Sequence, residues 1–176
     1  HKACEPLKIP VVKHMLICGC LCSETKINGI DDAGKVELHG SSTENALVYA
    51  ALSAGLDIRK CRQTHPLVSI QHRSETQPYM ISCHRNSNGQ RHFYVKGSPP
   101  EVLALCGRQM QGRKIRELSG EDRRTIEIRN DAMAGDALRV LGMAYFEDDG
   151  EGEPNLEGQL IWLGFIGMTD PIREGV

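Results

Sequence analysis

The sequence has no long apolar run, no excess of one charge and no internal repeat, and each absence narrows the class of protein. Its apolar stretches fall short of the ~18 consecutive residues that a bilayer-spanning helix needs, so no membrane span is expected. The 21 Lys and Arg residues nearly balance the 23 Asp and Glu residues, which argues against a nucleic acid or an anionic membrane surface as partner. With 176 residues, 40% of them hydrophobic, the chain is long enough to bury a core as one domain.

Seven cysteines are present, but they lack the pattern of a disulfide framework or of a zinc site. Their number is odd and no secretory signal precedes them, so a reducing, cytosolic environment is expected. Cys18, Cys20 and Cys22 lie too close together for the usual spacing of zinc ligands, and no second ligand pair occurs elsewhere. We interpret them as small buried residues; a metal-binding protein built on these cysteines and scattered histidines is the rival hypothesis.

The two ends of the sequence are unusual for a complete protein. The chain begins with His1 rather than Met, and a strongly apolar run at 160–168 lies close to its other end. These features predict a domain excised from a longer polypeptide.

The first half of the sequence contains one well-marked helix. Ser and Thr residues at 41–43 supply an N-cap, Glu44 places an acid in the first turn, and apolar residues recur with helical spacing up to Gly55. The apolar stretch 11–22 fits either a helix or a buried strand. Asn28-Gly29 and the Asp-Asp-Ala-Gly segment at 31–34 have the composition of turns, and they lead to a short strand at 35–39.

The second half begins with three segments of strand type, at 67–70, 79–84 and 92–95. The turn at 86–89 contains an Asn-Gly pair, which predicts that the second and third strands form an antiparallel hairpin. Strands therefore follow one another with helices inserted between them. This order favours an α+β fold with an antiparallel sheet over a doubly wound parallel sheet.

Two more helices and one more strand follow before the apolar run at 160–168, which is itself of strand type. A short helix is predicted at 101–106 after two prolines, and a longer one begins near Ser119, whose acidic first turn suits the helix dipole. The apolar segment 138–146 predicts a buried strand in which Arg139 is the single charge. A charge inside an apolar strand is costly unless it is paired, so this arginine needs an explanation.

Lys96 and Gly97 are the first candidates for binding chemistry. Lys96 stands at the end of a predicted strand, and Gly97 leaves room for a ligand to approach the backbone. A lysine in this position can reach a phosphate or the edge of a base. The alternative is an ordinary strand-end lysine that contacts only water.

Four motifs occur in the order seen in P-type ATPases. They are STENAL at 42–47, KGSP at 96–99, LRVLGMA at 138–144 and LGFIGMTDPIR at 163–173. Each motif is a weak signal alone, but their order over most of the chain is specific. The chain therefore resembles the nucleotide-binding domain of a cation pump of the calcium or sodium/potassium class, with an antiparallel sheet flanked by helices.

The resemblance implies a nucleotide-binding domain over residues 1–168 and, at 169–176, a hinge that returns to a phosphorylation domain. The phosphorylated Asp-Lys-Thr-Gly-Thr motif and the Gly-Asp-Gly metal motif of the family are not in this sequence. We therefore expect part of an ATP-driven cation pump on the cytoplasmic side of a membrane, without catalytic or metal-binding residues of its own. The expected partners are ATP or ADP, with Mg²⁺ in the intact pump, and the phosphorylation and actuator domains of the same polypeptide.

The resemblance also assigns roles to single residues. Lys96 and Gly97 match the pair that lines the adenosine pocket, and Glu44 matches an acid that hydrogen-bonds the adenine amino group. Arg139 matches an arginine that reaches the nucleotide phosphates. Local alternatives exist: Glu44 is also a plausible first-turn helix acid, and Arg139 could form a salt bridge with a neighbouring acid.

One segment departs from the family pattern. Family members usually carry a phenylalanine that stacks on adenine, followed by an Arg-Lys pair, and here the pair is Gln77-Pro78. The aromatic position falls on Arg73 or on His72, depending on the alignment; we prefer His72, because an imidazole stacks on a base. These losses are expected to weaken ATP binding by ~1–3 kcal/mol. The alternative function is a degenerate insert with weak or lost nucleotide binding that acts as a structural or regulatory module.

Overall fold

The computed structural model describes residues 5–30, 36–150, 152 and 154–169. Its helices are a short 3-10 helix (Pro6–Lys8), α1 (Pro10–Leu21), α2 (Ser42–Ser53), α3 (Ile58–Thr64), α4 (Pro99–Ala104) and α5 (Gly120–Gly135). Its strands are β1 (Lys26–Ile30), β2 (Val36–His39), β3 (Leu67–Gln71), β4 (Tyr79–Arg85), β5 (Arg91–Gly97), β6 (Cys106–Gln111), β7 (Lys114–Glu117), β8 (Arg139–Asp148) and β9 (Leu160–Met168). None of the described helices is long and apolar enough to cross a membrane.

Within the described residues, seven strands form one sheet in the order β3-β4-β5-β8-β9-β6-β7, and β1 and β2 form a separate antiparallel pair. Neighbouring strands of the large sheet run antiparallel, except that β6 and β9 are parallel. The predicted α+β fold with a largely antiparallel sheet is therefore confirmed, with one parallel pair added.

Side chains of the central strands alternate between the two faces of the sheet. Tyr94 and Met143 pack against residues of α1 and α2, whereas Val95 and Ala144 pack against residues of α4 and α5. Helices therefore cover both faces of the sheet. Because the side chains of a strand alternate, Lys96, which follows Val95, lies on the face covered by α1 and α2.

Two local predictions are confirmed by the geometry that they imply. The backbone N–H of Glu44 donates to Ser41 Oγ at 3.3 Å, so Ser41 is the N-cap of α2. Strands β4 and β5 pair in register across the predicted turn, in which Gly89 has a φ of 84°. A left-handed φ is easily adopted by glycine, so the Asn-Gly signal identifies the hairpin correctly.

Other segments differ from the prediction or lie beyond it. The apolar stretch 11–22, which fitted a helix or a strand, is the helix α1. Of the two predicted turn segments, Asn28-Gly29 is wrong, because both residues belong to β1, where the pairing with β2 is irregular. The other, at 31–34, lies outside the described residues. Most of the predicted hinge, residues 170–176, lies outside the described residues.

The N-terminus of α5 allows a direct test of the helix assignment. Ser119 Oγ accepts the N–H of Asp122 at 3.1 Å, and the Asp122 carboxylate accepts the N–H of Ser119 at 3.0 Å, which forms a capping box. Replacing Ser119 with alanine is expected to cost about 1 kcal/mol and to lower the Tm by about 2–4 °C. Thermal unfolding of Thr125→Ala is the control, because its hydroxyl bonds only to Glu121 O within the helix. Equal losses in both variants would contradict a specific cap at Ser119.

Candidate functional site

A buried ion pair joins the sheet to α2. Lys96 Nζ, at the end of β5, lies 2.7 Å from Glu44 Oε1 in the first turn of α2. The two side chains are only 7% and 14% exposed. Burying two charges is costly unless they are paired, so each residue accounts for the position of the other. The alternative of a solvent-exposed strand-end lysine does not apply to Lys96.

Glu24, which follows α1, connects this pair to His72. Its backbone N–H donates to Glu44 Oε2 at 3.2 Å, and its own carboxylate oxygen lies 3.6 Å from His72 Nδ1. His72 follows directly after β3 and keeps 61% of its side chain exposed. Glu24 therefore links His72 to the ion pair, and the ring of His72 is open to solvent.

Arg139 reaches the same end of α2 by a different route. Its Nη1 donates to Thr43 Oγ1 at 3.0 Å, and Thr43 immediately precedes Glu44. The expectation that Arg139 is enclosed in an apolar strand is wrong: it is the first residue of β8 and is exposed, and fully buried positions begin at Gly142. Its charge therefore remains in contact with solvent at the strand end, where the cost of burial is small.

Gly97 is required by the packing of the backbone. A Cβ at this position would lie 2.5 Å from Pro78 O and from Tyr79 Cα. The N–H of Ser98 donates to the same Pro78 oxygen at 2.9 Å, which holds the two segments together. Strand packing thus explains this glycine, and its contact with a ligand stays a prediction.

The predicted residues form a connected cluster, which we call the Lys96–Glu44 cluster: Glu24, Thr43, Glu44, His72, Lys96, Gly97 and Arg139. Glu24 and Thr43 were not predicted as members. Thr43 lies in the recognised STENAL motif next to Glu44, so its place could have been anticipated. Glu24 carries no local signal, because its role arises only when the end of α1 meets α2 in space.

A cavity of about 330 Å³ adjoins the cluster at Glu24. Its other walls include the apolar side chains of Leu67 and Ile70 and the polar ones of Arg62 and His84. Of the five residues predicted as binding residues, none lines this cavity. The predicted residues therefore surround the ion pair rather than the cavity.

The closely spaced cysteines of α1 and its C-cap are buried in the core. The thiols of Cys18 and Cys22 donate to the carbonyl oxygens of Val95 and Met80, and Cys20 packs in a separate apolar cluster. Burial raises the pKa of Cys22 to about 11 and that of Cys20 to about 12, so both thiols are protonated near neutral pH. The interpretation as small buried residues is confirmed. In the part of the chain that the structure describes, no group of His, Cys, Asp and Glu side chains could hold a metal ion.

Comparison with known proteins agrees with the fold and with the order of the motifs. The family described as "P-type ATPase, cytoplasmic domain N" matches residues 11–175. The chain is 30% identical over 175 residues to "Calcium-transporting ATPase PAT1" of Dictyostelium discoideum, with 96% of this chain and 15% of the relative covered. It is 33% identical over 175 residues to "Cation-transporting ATPase pma1" of Synechocystis sp., with 93% of this chain and 18% of the relative covered.

A third relative shows a similar identity and a similar coverage. The chain is 29% identical over 143 residues to "Calcium-transporting ATPase 1" of Lactococcus lactis, with 80% of this chain and 16% of that protein covered. The chain thus spans less than a fifth of the length of each of these relatives. Because the family match extends over nearly all of the sequence, the chain belongs to the family of cytoplasmic N domains of P-type ATPases.

Proposed function

We propose that this domain binds ATP at the Lys96–Glu44 cluster and positions it for phosphoryl transfer to an aspartate in a separate domain. The observation that carries the proposal is the buried ion pair between Lys96 and Glu44, with the exposed Arg139 guanidinium bonded to Thr43, the residue before Glu44. The ion pair holds polar groups in fixed positions, where they can hydrogen-bond an adenine base. The guanidinium can donate hydrogen bonds to phosphate oxygens.

The Glu44 carboxylate keeps the capacity to recognise adenine. Its Oε1 accepts from Lys96 Nζ, and its Oε2 accepts from the N–H of Glu24. Each carboxylate oxygen has two lone pairs, so either can accept one more hydrogen bond. The exocyclic amino group of adenine is a donor of the required kind. Glu44 therefore fits the base without breaking its bond to Lys96.

Arg139 and His72 would then contact the other parts of the nucleotide. Arg139 is held beside the N-terminus of α2 through Thr43, at the exposed start of β8. A guanidinium there can bind phosphate oxygens in a bidentate manner. The exposed ring of His72 can stack on a base, whereas Gln77 bonds within its own loop, to Tyr79 O and to Gln71. We expect a weak site, because this loop contributes no lysine.

The residues of this chain bind and orient, and none performs a chemical step. ATP supplies the γ-phosphoryl group, and Mg²⁺ neutralises the phosphates in the intact protein. Holding the nucleotide against an aspartate of another domain is catalysis by proximity. Because the relatives are named calcium- and cation-transporting ATPases, we propose that the whole protein is an ATP-driven cation pump.

Titration of the chain with ATP, followed by backbone amide chemical shifts, tests this proposal. We expect saturable shifts at Glu44, Lys96 and Arg139. Replacing His72 with alanine should weaken binding about 5- to 150-fold, the equivalent of ~1–3 kcal/mol for one stacked base. Arg73→Ala is the matched control, because Arg73 occupies the neighbouring exposed position.

The alternatives give different results. If Arg73→Ala weakens binding and His72→Ala does not, the stacking residue is Arg73 and the preferred alignment is wrong. If millimolar ATP causes no shifts in the folded chain, the proposal fails. That result would favour a degenerate insert that serves as a structural or regulatory module.

A further inference from the structure

A second group of charged residues lies at the other end of α1. It surrounds a cavity of about 610 Å³, which we call the basic cavity. The residues that line it are Leu7, Lys8, Pro10, Lys13, His14, Ile17 and Arg113. This volume falls in the usual range for small-molecule sites. None of its lining residues belongs to the Lys96–Glu44 cluster.

The charge of the basic cavity has one sign. Its cationic residues come from three elements: Lys8 from the 3-10 helix, Lys13 from α1 and Arg113 from the turn between β6 and β7. Lys8 is paired with Glu5 at 2.9 Å. Lys13 and Arg113, by contrast, form no ion pair with any residue that the structure describes. Two uncompensated cations thus face one space without an acidic side chain in its lining.

The polar groups of the basic cavity are held in place. His14 Nδ1 lies 3.0 Å from Pro10 O, which can only accept, so Nδ1 donates in this contact and the contact orients the ring. The His14 ring also packs against the Tyr145 ring, and the two ring centroids are 5.2 Å apart. Arg113 follows Gly112, whose φ of 59° forms a tight turn between the paired strands β6 and β7. The backbone positions of both residues are therefore fixed by the fold.

The start of α1 adds to the positive potential. Its N-cap residue, Ile9, provides no side-chain acceptor, and its first turn contains no acid. The first N–H groups of a helix have no partner within the helix, and they form the positive end of its dipole. Pro10 and Lys13, which belong to this turn, line the cavity. Pro10 has no N–H and the N–H of Lys13 donates to Ile9 O, so these two residues bring the helix dipole to the cavity but no free N–H group. The helix end therefore reinforces the side-chain charges.

We propose that the basic cavity binds a group carrying two or more phosphates, at a site separate from the Lys96–Glu44 cluster. Cations from several elements match an anion with several charges, and Leu7, Pro10 and Ile17 provide apolar contact. About 12 Å of helix separates His14 from Cys22, which lies beside Lys96. The two sites can therefore be probed independently.

Sodium tripolyphosphate is the first probe, because it carries phosphate charge without a nucleoside. Titration of the 176-residue chain, followed by amide shifts, is expected to give saturable changes at Lys13, His14 and Arg113. The double variant Lys13→Ala/Arg113→Ala should bind at least tenfold more weakly. The control is Arg129→Ala, which removes an exposed arginine from α5 on the opposite face of the sheet.

Two further experiments test whether phosphate is required for binding and whether it belongs to a lipid headgroup. Adenosine should leave the shifts of Lys13 and Arg113 unchanged, because it has no phosphate. Phosphatidylcholine vesicles with and without phosphatidylinositol bisphosphate test a lipid headgroup: sedimentation only with the anionic vesicles, lost in the double variant, would assign the site to a headgroup. If the double variant has an unchanged circular dichroism spectrum and binds tripolyphosphate and the anionic vesicles as the unmodified chain does, the proposal is overturned.

Discussion

Replacing Lys96 with methionine is expected to remove most of the ATP affinity and to destabilise the domain. Methionine keeps an apolar stem of similar length but deletes the ammonium group. The Glu44 carboxylate, only 14% exposed, would then lose its cation. Breaking a buried pair leaves an uncompensated charge, and we expect about 3 kcal/mol, the lower end of the usual range, because the N–H of Glu24 still serves the carboxylate. ATP affinity should fall at least tenfold in calorimetric titration.

A double-variant cycle separates stability from binding. Glu44→Gln in the Lys96→Met background removes the stranded charge, so much of the lost stability should return, whereas ATP affinity should not. Together with Glu44→Gln alone, these variants form a cycle that measures the coupling of the two residues. Lys114→Met, on the exposed strand β7, is the matched control and should change neither quantity. Unchanged ATP affinity in Lys96→Met would remove Lys96 from the binding site.

The features that could be predicted from the sequence depend on near neighbours in the chain. The Ser41 cap of α2 and the β4–β5 hairpin each involve residues a few positions apart, and both are confirmed. Helix α3 and the β6–β7 hairpin were missed because α3 is short and polar and β7 is exposed along its whole length. Such segments are too short, or too polar, to show the regular spacing of apolar residues by which a helix or a strand is recognised.

In the site, likewise, the sequence identified single residues but not the contacts between them. The motifs identified Glu44, Lys96 and Arg139, but their mutual contacts depend on how α2, β5 and β8 meet. The burial of Arg139 was predicted wrongly because a strand boundary uncertain by one or two residues decides whether a charge is enclosed or exposed. Glu24 could not be found at all, since its bonds to Glu44 and its approach to His72 are purely tertiary.

Replacing Gly97 with alanine is expected to cause a large loss of stability. The new Cβ would lie 2.5 Å from Pro78 O and Tyr79 Cα, and backbone atoms cannot rotate away as a flexible side chain can. The Pro78 oxygen is also fixed by the N–H of Ser98. Overpacking of this kind costs about 3 kcal/mol, which corresponds to a fall in Tm of about 6–12 °C. Thermal unfolding measures it.

The same variant distinguishes a packing role of Gly97 from a ligand-binding role. Gly135→Ala, at the end of α5 where a Cβ meets no atom within 4 Å, is the control, and its stability should stay equal or rise by up to about 1 kcal/mol. If Gly97→Ala lowers the Tm and its folded fraction binds ATP less tightly, the glycine sets the position of Lys96 through the register of β4 and β5. If the Tm is unchanged and only ATP affinity falls, the glycine leaves space for the ligand, and the explanation from strand packing is wrong.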